Sequence, residues 1–149
     1  MPVDITTEWD RIQPVAFAHG VDAFLIAAIR SQENGPPTTE AGHPFGEFGL
    51  PAPGYPSYDT QLAGCCKTIR RYVVEFQDLD APAMPLFELR EAHTGNRRVC
   101  YTPGFIGYCG RRYAPVGVAN DPGRLNQAWS TGVAAFYQRF VAEGVDAPR

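Results

Sequence analysis

A chain of 149 residues, 44% hydrophobic and 19% charged, is long enough for one folded domain that buries roughly two thirds of the surface its unfolded form exposes. A net charge of −3 without any basic run argues against nucleic acid or an anionic membrane as the main partner. No stretch approaches the length of a membrane span, and no basic region followed by an apolar one marks a Sec signal peptide.

Residues 1–7 form a lead-in, and residues 8–18 predict a short first helix with Thr7 as N-cap and Trp9, Ile12 and Phe17 available for packing. Pro14 falls inside it, so a turn followed by a helical piece is the alternative. His19-Gly20 ends the segment; His19 reads as a helix cap more readily than as a base.

Residues 21–33 predict the central helix. Val21, Phe24, Leu25, Ala28 and Ile29 recur at i, i+3, i+4, i+7 and i+8, which makes one apolar face. One further turn of that face lands on Gln32 and Glu33, just before Asn34-Gly35-Pro36-Pro37 stops the helix. A carboxylate there is misplaced for the helix dipole, and a solvated surface glutamate is the commoner explanation for such a residue. If the end of the face is buried instead, desolvation raises the carboxyl pKa and makes Glu33 a candidate general acid.

Residues 34–57 hold six prolines and five glycines and have no helical period. Phe45, Phe48, Leu50 and Tyr55 predict an ordered irregular lobe with a short strand over residues 47–50, forming one wall of a cleft beside Glu33. The lobe also contributes Glu40, His43 and Glu47.

Ser57 caps a strong predicted helix over residues 58–77, whose Leu62, Cys66, Ile69, Val73 and Phe76 form a core stripe. Asp59 lies in its first turn, where the helix dipole alone accounts for a negative charge. Residues 86–91 and 97–101 predict a hairpin, with a short helix as the alternative for the first. Thr102-Pro103 opens a helix to about residue 112, and Asp121-Pro122 opens the last helix, to about residue 142. Leu125, Trp129, Val133, Phe136 and Phe140 make its core stripe. Without a repeat or a linker, a single domain over residues 1–149 is expected. Cys65, Cys66, Cys100 and Cys109 show neither a C-x-x-C pair nor a neighbouring histidine, so reduced buried thiols are expected, with a Cys100–Cys109 bridge as the alternative. Neither a metal nor a cofactor is predicted.

Three groups of motifs, in order along these helices, carry a resemblance. They are Ala27-x-Ile29-Arg30-x-x-Glu33-Asn34-Gly35; Glu47-Phe48-Gly49 with Tyr58-x-x-Gln61 and Thr68-Ile69-Arg70; and Arg112-Tyr113-Ala114-Pro115 with Asn120-Asp121-Pro122 and Leu125-Asn126-x-x-Trp129. Together they resemble bacteriophage and prophage proteins of the lysozyme-like superfamily, in particular peptidoglycan hydrolases of the glucosaminidase and transglycosylase types. The resemblance covers residues 15–77 and 102–140.

What it implies is a mainly α (α+β) lysozyme-like fold: a central helix ending in the catalytic glutamate, faced by a small irregular or β lobe. Glu33 matches that glutamate and Tyr113 the tyrosine lining the cleft, while Glu47 and Asp59 are candidates for a second carboxylate. Phe45 and Tyr55 are further candidates for stacking on sugar faces, with loop anchoring an equal alternative. Asn120 is a candidate for bonding an acetamido group, although holding its own turn is the simpler role. The implied partner is bacterial cell-wall peptidoglycan, with other phage proteins as a second class. The implied location is the cytoplasm until release, or the virion. A non-catalytic phage structural or glycan-binding protein on the same scaffold is the main alternative. A cysteine nucleophile, Cys65 or Cys66 with His19, His43 or His93, is a remote one.

Overall fold

The computed structural model describes residues 4–35, 37, 44–80, 87–88, 98–99, 103–113 and 122–143. These residues are mainly helical: α1 Ile5–Ala18, α2 Ala23–Glu33, α3 Tyr58–Asp80, α4 Pro103–Tyr113 and α5 Pro122–Glu143. Two two-residue strands, β1 Phe87–Glu88 and β2 Arg98–Val99, pair antiparallel with Phe87 opposite Val99 and Glu88 opposite Arg98.

Short side chains set the helix starts. Asp4, not Thr7, caps α1 by accepting from the Thr6 N–H at 3.2 Å, so the helix begins three residues before the sequence pattern suggests and runs on through Pro14. His19 closes it, its backbone N–H reaching the carbonyls of the last turn. Asp22 caps α2, with Oδ1 accepting from the Phe24 N–H at 2.9 Å. Ser57 and Thr60 cap α3 reciprocally: the Thr60 N–H donates to the Ser57 hydroxyl at 3.1 Å and the Ser57 N–H to the Thr60 hydroxyl at 2.9 Å.

α2 is the axis of the molecule. Every residue from 21 to 30 is buried, so the helix is covered on all sides rather than along the single stripe its spacing suggests. It packs against α1 and α5, while α3 packs against α1 and α4, and α4 against α5. Trp9, Phe24, Ile69, Phe105, Val133 and Phe140 belong to the core these helices share. Among the described residues no helix is long and apolar enough to cross a membrane.

The described part of the lobe lacks the expected strand. Residues 47–50 are not a strand but a tight turn: the Gly49 N–H donates to the Gly46 carbonyl at 2.9 Å, and the Gly46 N–H to the Leu50 carbonyl at 3.0 Å. Phe45 and Pro51 flank this turn as an isolated β-bridge. Gly49 takes φ +79°, a conformation open to glycine at little steric cost, and that is what folds the segment back on itself.

Candidate active site

The end of α2 is fixed from three directions. Asn34 adopts the left-handed conformation (φ 47°) and its N–H closes onto the Arg30 carbonyl at 2.9 Å, so the chain leaves the helix directly after Glu33. Gly35 then passes so close to the Gly46 carbonyl that a Cβ would overlap it. Arg30, one turn back on α2, clasps Glu8 of α1 with two bonds, Nε to Oε1 at 2.8 Å and Nη2 to Oε2 at 3.1 Å. Its Nη1 reaches across to the Glu47 carbonyl at 3.1 Å. Tyr58 completes the cluster by donating to Glu8 Oε1 at 2.6 Å.

Gln61 holds the lobe from the side of α3. Fully buried, it accepts from the N–H groups of Phe48 (3.1 Å) and Leu50 (3.2 Å) through one oxygen. Its amide nitrogen donates to the carbonyls of Leu50 (2.9 Å) and Tyr55 (3.0 Å), so its hydrogen-bonding capacity is filled.

Glu33 lies at the junction. Its carboxyl group rests against Gly49, and any Cβ at that position would collide with it. Oε2 accepts from the indole N–H of Trp129 on α5 at 2.8 Å. Trp129 stacks on Tyr113, with centroids 5.4 Å apart and planes 28° from parallel. The Tyr113 hydroxyl in turn donates to the Phe48 carbonyl at 2.6 Å, next to Gly49. Desolvation raises the Glu33 carboxyl above its ordinary value of 4.5, and the Trp129 bond opposes part of that rise.

Comparison with protein-family models, curated proteins and solved structures gives no match to this chain.

Of the residues singled out from the sequence, the structure brings Glu33 and Tyr113 into one neighbourhood. Tyr113 is the last residue of α4 and is buried, with its hydroxyl engaged by the lobe backbone. Glu47 is buried in the turn that faces the end of α2. Asp59 lies on the surface of α3, paired with Arg11 of α1 at 3.1 Å. Phe45 is 47% exposed on the lobe. Tyr55 packs against α3 at Gly64 and borders an open depression of about 400 Å³, which Thr60, Lys67, Thr68 and Arg71 also line. Asn120, Glu40, His43, His93 and Cys100 lie outside the described residues.

Cys65, Cys66 and Cys109 are free and buried, and burial pushes the Cys66 thiol up to about 12. His19 is occupied as the α1 cap, with Nδ1 2.8 Å from the Val15 carbonyl. No group of three or more His, Cys, Asp or Glu among the described residues is placed to hold a metal ion.

Three residues that surround Glu33 or hold the lobe beside it carry no separate role in the sequence. Trp129 belongs to a core stripe and to the Leu125-Asn126-x-x-Trp129 motif, and neither points to a bond with Glu33. Gln61 and Gly49 were each part of a motif, but their partners are set by folding.

Proposed function

We propose that this protein is a glycosidase of lysozyme-like architecture that cuts β-1,4 bonds in the glycan strand of bacterial peptidoglycan, with Glu33 as general acid. One observation carries the reading: a carboxyl group whose pKa is raised by desolvation ends the buried central helix and rests against a small lobe at Gly49. The ordered set of motifs around Glu33, Gly49, Gln61, Tyr113 and Trp129 adds to it.

The acid step requires Glu33 to give its proton to the glycosidic oxygen as the C1–O bond breaks, the bond's electron pair leaving with that oxygen. Glu33 is left as a carboxylate that still accepts from Trp129. The oxocarbenium-like centre is then taken by water, or by the 6-hydroxyl of muramic acid, and the proton released restores Glu33. A second carboxylate roughly 6.5–9.5 Å away would serve an inverting hydrolysis and one at about 5 Å a retaining one. Without either, closure of the 6-hydroxyl gives an anhydro end. Glu47, whose backbone carbonyl accepts from Arg30 of α2, and Asp59, which is engaged with Arg11, are the candidates for that second carboxylate.

Digestion of purified peptidoglycan by the wild type and by Glu33→Gln, with products identified by mass spectrometry, tests the reading. Cleavage by the wild type and none by the variant is expected. Reducing muramic ends mark a muramidase, reducing glucosamine ends a glucosaminidase, and 1,6-anhydro ends a lytic transglycosylase. Equal activity in the variant removes Glu33 from the mechanism.

A second reading is a non-catalytic phage structural or glycan-binding protein on the same scaffold. The engagement of Tyr113 with the lobe backbone favours it, because that hydroxyl serves packing rather than an open cleft. A folded wild type that is retained on peptidoglycan without cutting it would decide for this alternative.

A further inference from the structure

We infer that Trp129 is the positioning residue of the Glu33 acid, selecting which carboxyl oxygen carries the transferable proton and tying that carboxyl to the lobe through Tyr113. The catalytic consequence rests on the glycosidase reading; the physical content is a contact that can be measured without substrate.

An indole N–H donates and never accepts, and here it points at Oε2 from 2.8 Å. In a protonated carboxyl group the carbonyl oxygen is the better acceptor, so Oε2 takes that form and the proton resides on Oε1. A Cβ built on Gly49 would meet Cδ and Oε1 before Oε2, which places Oε1 toward the lobe. The proton is therefore held on the lobe side of the helix end. When it leaves, its bonding electrons stay on the carboxylate, and the indole bond becomes a charge-assisted one.

The indole itself is held in place. Trp129 is buried, stacks on Tyr113, and through the Tyr113 hydroxyl is referred to Phe48, whose neighbour Gly49 touches Glu33. Glu33, Trp129, Tyr113, Phe48 and Gly49 thus form a closed circuit of contacts linking α2, α5, α4 and the lobe. Of the other ionisable groups near Glu33, Cys65 on α3 and Tyr113 on α4 are held protonated by burial. Arg30 lies three residues back on α2, and Glu47 lies in the lobe.

The test is a pH titration of the isotopically labelled full chain by NMR. It follows the Glu33 carboxyl carbon, assigned by its loss in Glu33→Gln, and the Trp129 indole N–H, assigned by its loss in Trp129→Phe. The indole resonance is expected to move with the Glu33 midpoint while that of Trp9 does not. Trp129→Phe keeps a ring against Tyr113 but removes the donor. It is expected to raise the Glu33 midpoint, to carry the alkaline limb of the pH–activity profile upward with it, and to lower kcat roughly tenfold with little change in KM. An indole resonance that stays still through the Glu33 titration overturns the inference, as does a folded Trp129→Phe with an unchanged midpoint. If that variant does not fold, the wild-type titration decides, with the Trp129 indole assigned as the resonance retained in Trp9→Phe. If the indole follows Glu33 but the wild type cuts no peptidoglycan, the glycosidase reading falls and the coupling stands.

Discussion

At the scale of single residues, Glu33 should cost the protein stability in order to be an acid. A carboxyl raised by desolvation binds more protons folded than unfolded, between the ordinary value of 4.5 and its folded value. Stability is therefore highest below that window and falls as pH rises through it. Glu33→Gln escapes the loss while keeping an oxygen for the Trp129 N–H. Thermal melts at about pH 8 should show the variant melting above the wild type, with the difference closing by about pH 4. A difference that does not change between the two pH values would mean that the carboxylate is well solvated. Gly49 gives the complementary test. Its φ of +79° costs an alanine roughly 1–2 kcal/mol, and the new methyl would also displace the Glu33 carboxyl group. Gly49→Ala should therefore lower stability by at least that amount in denaturant melts, and it should lose activity out of proportion to the stability lost. Near-wild-type activity would show that the acid does not depend on this seat.

At the scale of elements, Gln61 ties the lobe to α3 while the lobe's own backbone bonds close its turns. Gln61→Leu keeps the volume but removes four bonds, leaving the Phe48 and Leu50 N–H groups and the Tyr55 carbonyl without the partner they had. With about 1–3 kcal/mol for each buried group left unsatisfied, a loss of roughly 3 kcal/mol or more is expected. Amide exchange should then quicken at Phe48 and Leu50 while the core of α5 stays protected; uniform loss of protection would mean that the lobe is not a separable unit. The elements themselves were largely legible, since Ser57, Pro103, Pro122 and Asn34-Gly35 mark helix ends by local chemistry. Two local signals were outcompeted. Asp4 caps α1 in place of Thr7, and residues 47–50 turn because glycines at 46 and 49 let the backbone close on itself. The site was legible only in part. Glu33 announced itself as a misplaced charge at the end of an apolar run. Its bond to Trp129 spans 96 residues and the Tyr113–Phe48 bond 65, and no periodicity encodes contacts of that range.

At the scale of the whole molecule, the buried thiols report whether the helices open as one body. Cys65 and Cys66 sit on α3 and Cys109 on α4, all within the shared core. A thiol pushed up to about 12 carries on the order of one thiolate in 10⁵ at pH 7, and burial also raises Cys65 and Cys109 above their ordinary value. Alkylation therefore has to wait for opening, because both reach and ionisation are missing in the folded state. Iodoacetamide labelling of the native protein, mapped residue by residue by mass spectrometry, should leave all three thiols unmodified on the timescale in which unfolded protein is fully labelled. Peptidoglycan cleavage should survive the treatment. If α3 and α4 belong to one cooperative core, the slow labelling of Cys65 and Cys109 should proceed at a common rate, and denaturant should accelerate both equally. Much faster labelling of Cys109 would instead show α4 opening by itself, taking Tyr113 away from Trp129 and with it one wall of the circuit around Glu33. Rapid labelling of Cys65 or Cys66 with matching loss of activity would return the nucleophile to a cysteine and overturn the glycosidase reading altogether.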